Sequence, residues 1–320
     1  MIQRHIFGPV ISRRLGLSLG VDLIPFKTCS YNCVYCECGP TTLHTITRHE
    51  FFPVKDVIAE LRNVLASRPH LDSITLAGSG EPTLSLSVGR VITFVKNEYP
   101  EYTLSVLTNG SLLIDRAVRA ELASADRVIP TLTSVSQETF ERIHRPHPSL
   151  RIEEIITGMV QFQKTYSGAL WLEVFVIPGL NTTPEELAGL KGAIERIHPD
   201  RVQLNTVDRP PAEGWVQAAP DAELERVRQL LGVSDIKTIS RKLPVSRATK
   251  VNTEADDLIH STLCRRPSTM EDLVRTTGLS GGEVAKILGV LEREGVVTSQ
   301  RGKRGVFYTI CQKPDGRGDT

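Results

Sequence analysis

The sequence predicts an α/β protein, a partial (β/α)6 TIM-like barrel followed by a small winged-helix-like domain. Two observations predict it. Short apolar runs, often β-branched, alternate with longer amphipathic stretches from about residue 19 to 232. Beyond residue 250 that alternation gives way to three short helical patterns and a hairpin pattern. The length of 320 residues suits one large domain, or one large and one small, at roughly 100–200 residues per domain.

The strands expected in the barrel are Leu19–Pro25, Ser73–Ala77, Thr103–Thr108, Arg127–Thr131, Ala169–Ile177 and Arg201–Val207. Between and after them, helices are expected at Val54–Ser67, Leu84–Asn97, Leu113–Ala123, Ile152–Tyr166, Pro184–Ile197 and Asp221–Leu231, with a shorter one at Gln137–Ile143. Pro184 follows Thr182-Thr183 and precedes Glu185-Glu186, a good helix start. Six strand–helix repeats imply a parallel sheet with outer helices and fall short of the eight that close a TIM barrel; a curved, partly open barrel fits better, while the strand count alone also allows a doubly wound open sheet. The barrel is expected over residues 1–232, a linker or edge strand over 233–251, the winged-helix-like domain over 252–312 and a disordered tail over 313–320. In the small domain, Asp256–Leu263, Met270–Thr276 and Gly281–Arg293 read as helices, Val296–Ser299 and Val306–Ile310 as strands. The turn between those strands holds Arg301, Lys303 and Arg304, which suits either a DNA-binding wing or a soluble hairpin tip on a domain packed against the barrel.

Composition excludes several classes. Apolar residues make up 40% and charged residues 23%, which is wrong for a disordered chain. Lys and Arg number 38 against 37 Asp and Glu, so any nucleic-acid contact must come from local patches. Ser12-Arg13-Arg14-Leu15 resembles the start of a twin-arginine export signal, but Asp22 interrupts the apolar run that should follow. No uninterrupted stretch approaches the roughly 18–20 apolar residues of a membrane span. Six cysteines, four of them at Cys29, Cys33, Cys36 and Cys38, point to metal or redox chemistry in a reducing compartment, so a cytoplasmic protein is expected.

Cys29, Cys33 and Cys36 form a C-x3-C-x2-C spacing just after the first expected strand. Three thiolates can cap three irons of a [4Fe–4S] cluster, leaving the fourth iron open to a ligand. Zinc competes, yet its paired C-x2-C knuckles lack a second knuckle here. Cys264 and Cys311 stand apart and read as small buried apolar residues. Cys38 reads as a loop residue, with a stray ligand or a hydrogen donor as the alternatives.

With aromatic Tyr35 before its last cysteine, following the first strand of a (β/α)6 pattern, the motif resembles that of the radical S-adenosylmethionine enzymes. The resemblance implies a [4Fe–4S] cluster on Cys29, Cys33 and Cys36, with S-adenosyl-L-methionine chelating the open iron. It implies reductive cleavage to methionine and a 5′-deoxyadenosyl radical that takes hydrogen from the substrate, and a reductant such as ferredoxin or flavodoxin. Gly78-Ser79-Gly80-Glu81-Pro82 is similar to the family's Gly-Gly-Glu motif for the cofactor's amino group, with Ser79 in place of a glycine. The same likeness assigns cofactor contacts to Thr108, Asn109, Thr133, Ser134, Ile177 and Pro178. Phe7-Gly8-Pro9-Val10, Arg145-Pro146-His147-Pro148 and the Val202–Pro211 stretch resemble a branch of iron–sulfur oxidoreductases related to the wyosine-type tRNA-modifying enzymes. A second cysteine triad, used by members near that branch, is absent, which argues against simple transfer of their reaction.

Polar residues inside barrel strands are expected to face the lumen. Glu173 is the single charge of its strand and would need a partner such as Arg145, while Gln203 and Asn205 share one face of the last strand. Asp22 is a similar intrusion in the first strand. Arg209 is expected at the ligand-binding end, where with Arg13 and Arg14 it would hold a phosphate or carboxylate. The reading is a radical enzyme acting on an unidentified substrate, a tRNA base being the favoured class. A peptide or small metabolite is the alternative, and a DNA-binding iron–sulfur sensor is the alternative of another kind.

Overall fold

A computed structural model of the chain describes residues 5–233, 235–239 and 255–310. Its main sheet has eight strands: β1 (Ile6–Ser12), β2 (Gly16–Val21), β5 (Ser73–Leu76), β6 (Leu104–Thr108), β7 (Arg127–Pro130), β8 (Ala169–Phe175), β9 (Arg201–Asn205) and β10 (Ile236–Thr238), in that spatial order. β1 pairs antiparallel with β2, and every later pairing is parallel. β1 and β10 lie at opposite ends of the order, so the sheet is open. The short strands β3 (Thr28–Cys29) and β4 (Leu43–His44) pair separately beside it.

All four residues of β5 are buried, as are four of five in β6, which is why these strands read as continuous apolar runs. Helices α1 (Val54–Leu65), α2 (Val88–Glu98), α3 (Arg116–Leu122), α4 (Gln137–His144), α5 (Ile152–Gln163), α6 (Pro184–Ile197) and α7 (Asp221–Leu231) accompany them. α1 buries Val57, Leu61 and Leu65, one stripe at four-residue spacing. Thr183 caps α6 by accepting from the Glu186 N–H, and left-handed Gly232 ends α7.

Several boundaries differ from the sequence expectation. The helix expected from Leu84 begins at Val88, because Pro82–Leu84 forms a separate 3-10 turn capped by Glu81. The helix expected from Leu113 begins at Arg116, where the Asp115 side chain accepts from the Ala117 N–H. The first expected strand starts three residues earlier and ends four earlier, at Gly16–Val21, preceded by a hairpin partner, β1, with Arg13 and Arg14 in the turn. Interleaved polar and Gly-Pro residues hid that hairpin from a reading of alternation. Within the expected linker or edge strand, Ile236–Thr238 forms an edge strand parallel to β9, so the sheet continues past residue 232. Residues 240–254, the tail 313–320 and Cys311 lie outside the described residues.

The C-terminal segment comprises α8 (Ala255–Arg265), β11 (Ser268–Thr269), α9 (Met270–Thr277), α10 (Gly281–Arg293), β12 (Val297–Gly302) and β13 (Gly305–Ile310), its strands ordered β11-β13-β12. Capping boxes start both α9, at Thr269 and Asp272, and α10, at Ser280 and Glu283. Ile259, Leu263, Leu273, Val284, Leu288 and Val297 form a core of their own. α8 and α9 pack against β1, so this module sits on the hairpin edge of the large sheet.

Candidate functional site

Cys29 ends β3, and Cys33 and Cys36 follow in a loop that is tied down by backbone. Asn32 N and Val34 N donate to His144 O and Ile143 O, each at 2.9 Å, which fastens the loop to the end of α4. The buried His144 ring lies 3.2 Å from Cys33 Sγ through Nδ1, and burial pulls its pKa down to about 3. Lys27 Nζ donates to Cys36 Sγ at 3.0 Å. The neighbouring Cys38 thiol and Lys27 draw Cys36 down to about 5, against the pull of burial. Cys29 moves the other way, up to about 12, because burial and then the Glu81 carboxylate disfavour its thiolate. Asn109 Nδ2 reaches both Ser30 Oγ at 2.8 Å and Cys29 Sγ at 3.6 Å.

The Gly78–Pro82 turn follows β5 at the edge of this loop. Lys27 N donates to Ser79 O at 2.8 Å, and Glu81 N to Thr28 O at 3.1 Å. A Cβ on Gly78 would lie 2.3 Å from the Asp22 carboxylate, and one on Gly80 only 2.0 Å from the Thr28 carbonyl oxygen. Neither position accommodates a side chain. Ser79 Oγ donates to Asp22 Oδ2 at 2.9 Å, a use of the hydroxyl that the glycine of the usual motif would lack. The buried Glu81 carboxylate accepts from Thr83 N (3.0 Å), Thr83 Oγ1 (2.6 Å), Thr108 Oγ1 (2.7 Å) and Asn109 N (2.6 Å). It pins the ends of β5 and β6 together, with Pro82 starting the turn it caps.

On the opposite wall, Tyr35 stacks on Phe175, ring centroids 4.0 Å apart. The Ser134 hydroxyl is buried with no hydrogen-bond partner, and Thr133 Oγ1 lacks one of good geometry though it lies beside the Tyr35 phenol. Asn181, which sequence reasoning missed, donates to Thr133 O and Phe175 O and accepts from Ile177 N, all at 2.8 Å. It holds Ile177 and Pro178 against the end of β7. Its sequence signal is an asparagine in a Pro-Gly turn at a strand end.

Glu173 faces the lumen, and its partner is Arg14 rather than the expected Arg145. Oε1 accepts from Arg14 Nη1 at 2.7 Å and Asn205 Nδ2 at 2.8 Å, and Oε2 from Thr131 Oγ1 at 3.0 Å. Arg145 instead takes the left-handed C-cap of α4 and pairs with Glu213 at 2.5 Å, half exposed. Gln203 Oε1 is buried with no partner among the described residues.

Above this wall the C-terminal module closes over the sheet. Cys38 Sγ donates to Arg265 O at 3.1 Å, and Arg265 Nε lies 3.5 Å from Asp22. Arg209 is buried between Glu37 at 3.2 Å and Asp272 of α9 at 3.5 Å. Arg13 reaches Asp208 at 3.8 Å. Arg304, expected on an exposed basic turn, points inward to Asp272 at 3.0 Å and Asp208 at 3.2 Å. Arg301 and Lys303 remain exposed. A cavity of about 260 Å³ opens here, with Arg13, Arg14, Arg209 and Arg266 among its lining residues, next to Tyr35 and Cys36. Arg266 is a site residue that sequence reasoning missed, since it follows a helix of a separate module.

These residues suit an iron–sulfur cluster with an amino-acid-bearing nucleoside beside it. Three thiols come from one loop, two glycine positions have no room for a Cβ, and the buried Ser134 hydroxyl has no hydrogen-bond partner among the described residues. Among the described residues no group of three His, Cys, Asp or Glu side chains forms a site for a single metal ion.

Comparison with known proteins agrees with the geometry. Residues 23–190 match the family described as the radical SAM superfamily. A protein of Brachyspira hyodysenteriae named GTPase Obg is 34% identical over 302 residues, covering 93% of this chain and 44% of that protein, so the chain spans less than half of this relative. A UPF0026 protein of Methanocaldococcus jannaschii is 28% identical over 309 residues, 94% of each chain. Among solved structures, a radical SAM methyltransferase from Sphaerobacter thermophilus shares the fold, with a TM-score of 0.53 and 18% identity over 69% of this chain and 65% of that one.

Proposed function

The chain belongs to the radical S-adenosylmethionine superfamily, enzymes that use a [4Fe–4S] cluster and S-adenosylmethionine, and from that premise we propose that it cleaves this cofactor reductively to modify a small substrate held inside its lumen. When bound, the cluster and cofactor supply an electron and a carbon-centred radical that abstracts hydrogen. The residues we assign to the cluster are Cys29, Cys33 and Cys36. Lys27 and Asn109 stabilise sulfur charge by N–H···S bonds, and neutral His144 stays beside Cys33 without competing for a proton. The Gly78–Gly80 backbone would receive the cofactor's ammonium, Thr133 and Ser134 its ribose hydroxyls, and Ile177 and Pro178 its base. Ferredoxin or flavodoxin is the proposed reductant.

The observation that carries the reading is the three-thiol loop beside a glycine cradle that rejects a Cβ. Anaerobic reconstitution with dithionite and S-adenosylmethionine should yield 5′-deoxyadenosine by mass spectrometry. No product from protein with an intact cluster, with and without cell extract as substrate source, counts against it.

One observation favours one substrate class over another. The C-terminal module, which we read as a winged helix, uses Arg304 to bind the barrel, and α10 carries Lys286 and Arg293 against Glu283 and Glu292. Such a helix lacks the basic face of a nucleic-acid reader. A small metabolite or peptide therefore fits better than the tRNA base implied by the branch resemblance. A tRNA-dependent rise in 5′-deoxyadenosine that disappears at high salt would restore the tRNA reading.

A further inference from the structure

Five guanidiniums meet four carboxylates at the covered mouth of the lumen. Arg14 is matched by Glu173, Arg209 by Glu37 and Asp272, and Arg304 by Asp208 and Asp272, while among the described residues the one carboxylate within 4 Å of Arg13 is Asp208, at 3.8 Å. Arg266 makes no ion pair within 4 Å among the described residues; Glu37 and Asp272 act on it only from farther off, and its side chain lines the 260 Å³ cavity. A guanidinium held in a confined, partly desolvated site with no anion in direct contact costs free energy, and folds keep such a group where a ligand completes it. Its planar fork fits two oxygens of one oxyanion.

We propose that Arg266, carried into the barrel mouth by the C-terminal module and assisted by Arg13, binds an oxyanion of the substrate, so that the substrate of this enzyme carries a carboxylate or a phosphate. Tyr35 and Cys36 line the same cavity, which puts that oxyanion in one space with the cysteine loop. The module is thereby part of the active site. The proposal deepens the small-substrate reading above, but anion binding is measured without turnover, so either can fail alone.

The test is calorimetric titration of the full reconstituted protein, separately with inorganic phosphate, acetate and S-adenosylmethionine. Arg266→Gln and Arg266→Lys are compared with wild type, and Arg228→Gln, exposed on α7 beside Glu225, is the control. Binding of phosphate or acetate to wild type is expected, the better probe indicating which oxyanion the substrate carries. Arg266→Gln should weaken that binding roughly 30-fold or more, Arg266→Lys less, with S-adenosylmethionine affinity and melting temperature unchanged. Equal anion affinity in Arg266→Gln and wild type, or no binding of either anion to wild type, overturns the proposal. An equal loss of S-adenosylmethionine affinity also overturns it, by assigning Arg266 to the cofactor.

Discussion

Glu173 is the one charge in an apolar strand, and three side chains from β7, β9 and the β1–β2 turn answer it. Removing one member of so enclosed a pair leaves the other uncompensated, so Glu173→Ala is expected to lower stability by about 3 kcal/mol in urea unfolding. The double variant Glu173→Leu with Arg14→Met should recover most of that loss. If it does not, the pair contributes net stability. Glu81 poses the same question with neutral donors. Its loss would strand the N–H groups of Thr83 and Asn109, at about 1–3 kcal/mol each. Glu81→Ala should therefore melt well below wild type even without cofactor, and an unchanged melting temperature would show that the carboxylate acts on the ligand alone.

At the scale of an element, the cysteine loop is held by β3 and α4 while its sulfurs stay inside. Cys33→Ala is expected to lose cluster iron and sulfide, and Cys38→Ala to retain both, since Cys38 hydrogen-bonds the C-terminal module. Equal iron content in both variants would sink the three-ligand assignment. The Gly78–Pro82 turn tolerates still less. Gly80→Ala would force a methyl group against a backbone carbonyl, so reduced S-adenosylmethionine affinity with lowered stability is expected from titration and melting curves. Most helices here were legible from periodicity and caps, α6 and α7 to the residue. The start of α2 was not, because the Glu81 cap that detains the chain at Pro82 takes its other partners from β6, far along the sequence.

Across the whole molecule, the joint between barrel and module is electrostatic. Burial alone would raise the Asp272 pKa, yet Arg304 and Arg209 outweigh it and hold the carboxyl below its ordinary value. A depressed carboxylate contributes stability above its unfolded pKa, about 3.9, and loses it as pH falls through the lower folded value. Arg304 belongs to the same module as Asp272, so the docking share comes from Arg209 across the joint; docking should hold to about pH 4 and weaken below it, seen as a larger radius of gyration in solution scattering. Arg304→Ala should move that expansion to higher pH. Identical profiles for variant and wild type would show that the apolar contacts of α8 and α9 on β1 hold the module by themselves.

Strand alternation, helix caps and three cysteines within eight positions are local properties, so the sequence by itself determined the parallel α/β architecture and the kind of chemistry. Periodicity reports which residues turn inward but not what meets them across a lumen. Arg14 and Glu173 are 159 residues apart, with Arg145 an equally plausible partner on charge alone. Only the tertiary structure decided that pairing, and only it turned Arg304 from a basic tip into an interface residue. The arrival of Arg266 over the cysteine loop depends in the same way on how α8 and α9 dock on β1, a contact between surfaces that neither segment encodes locally.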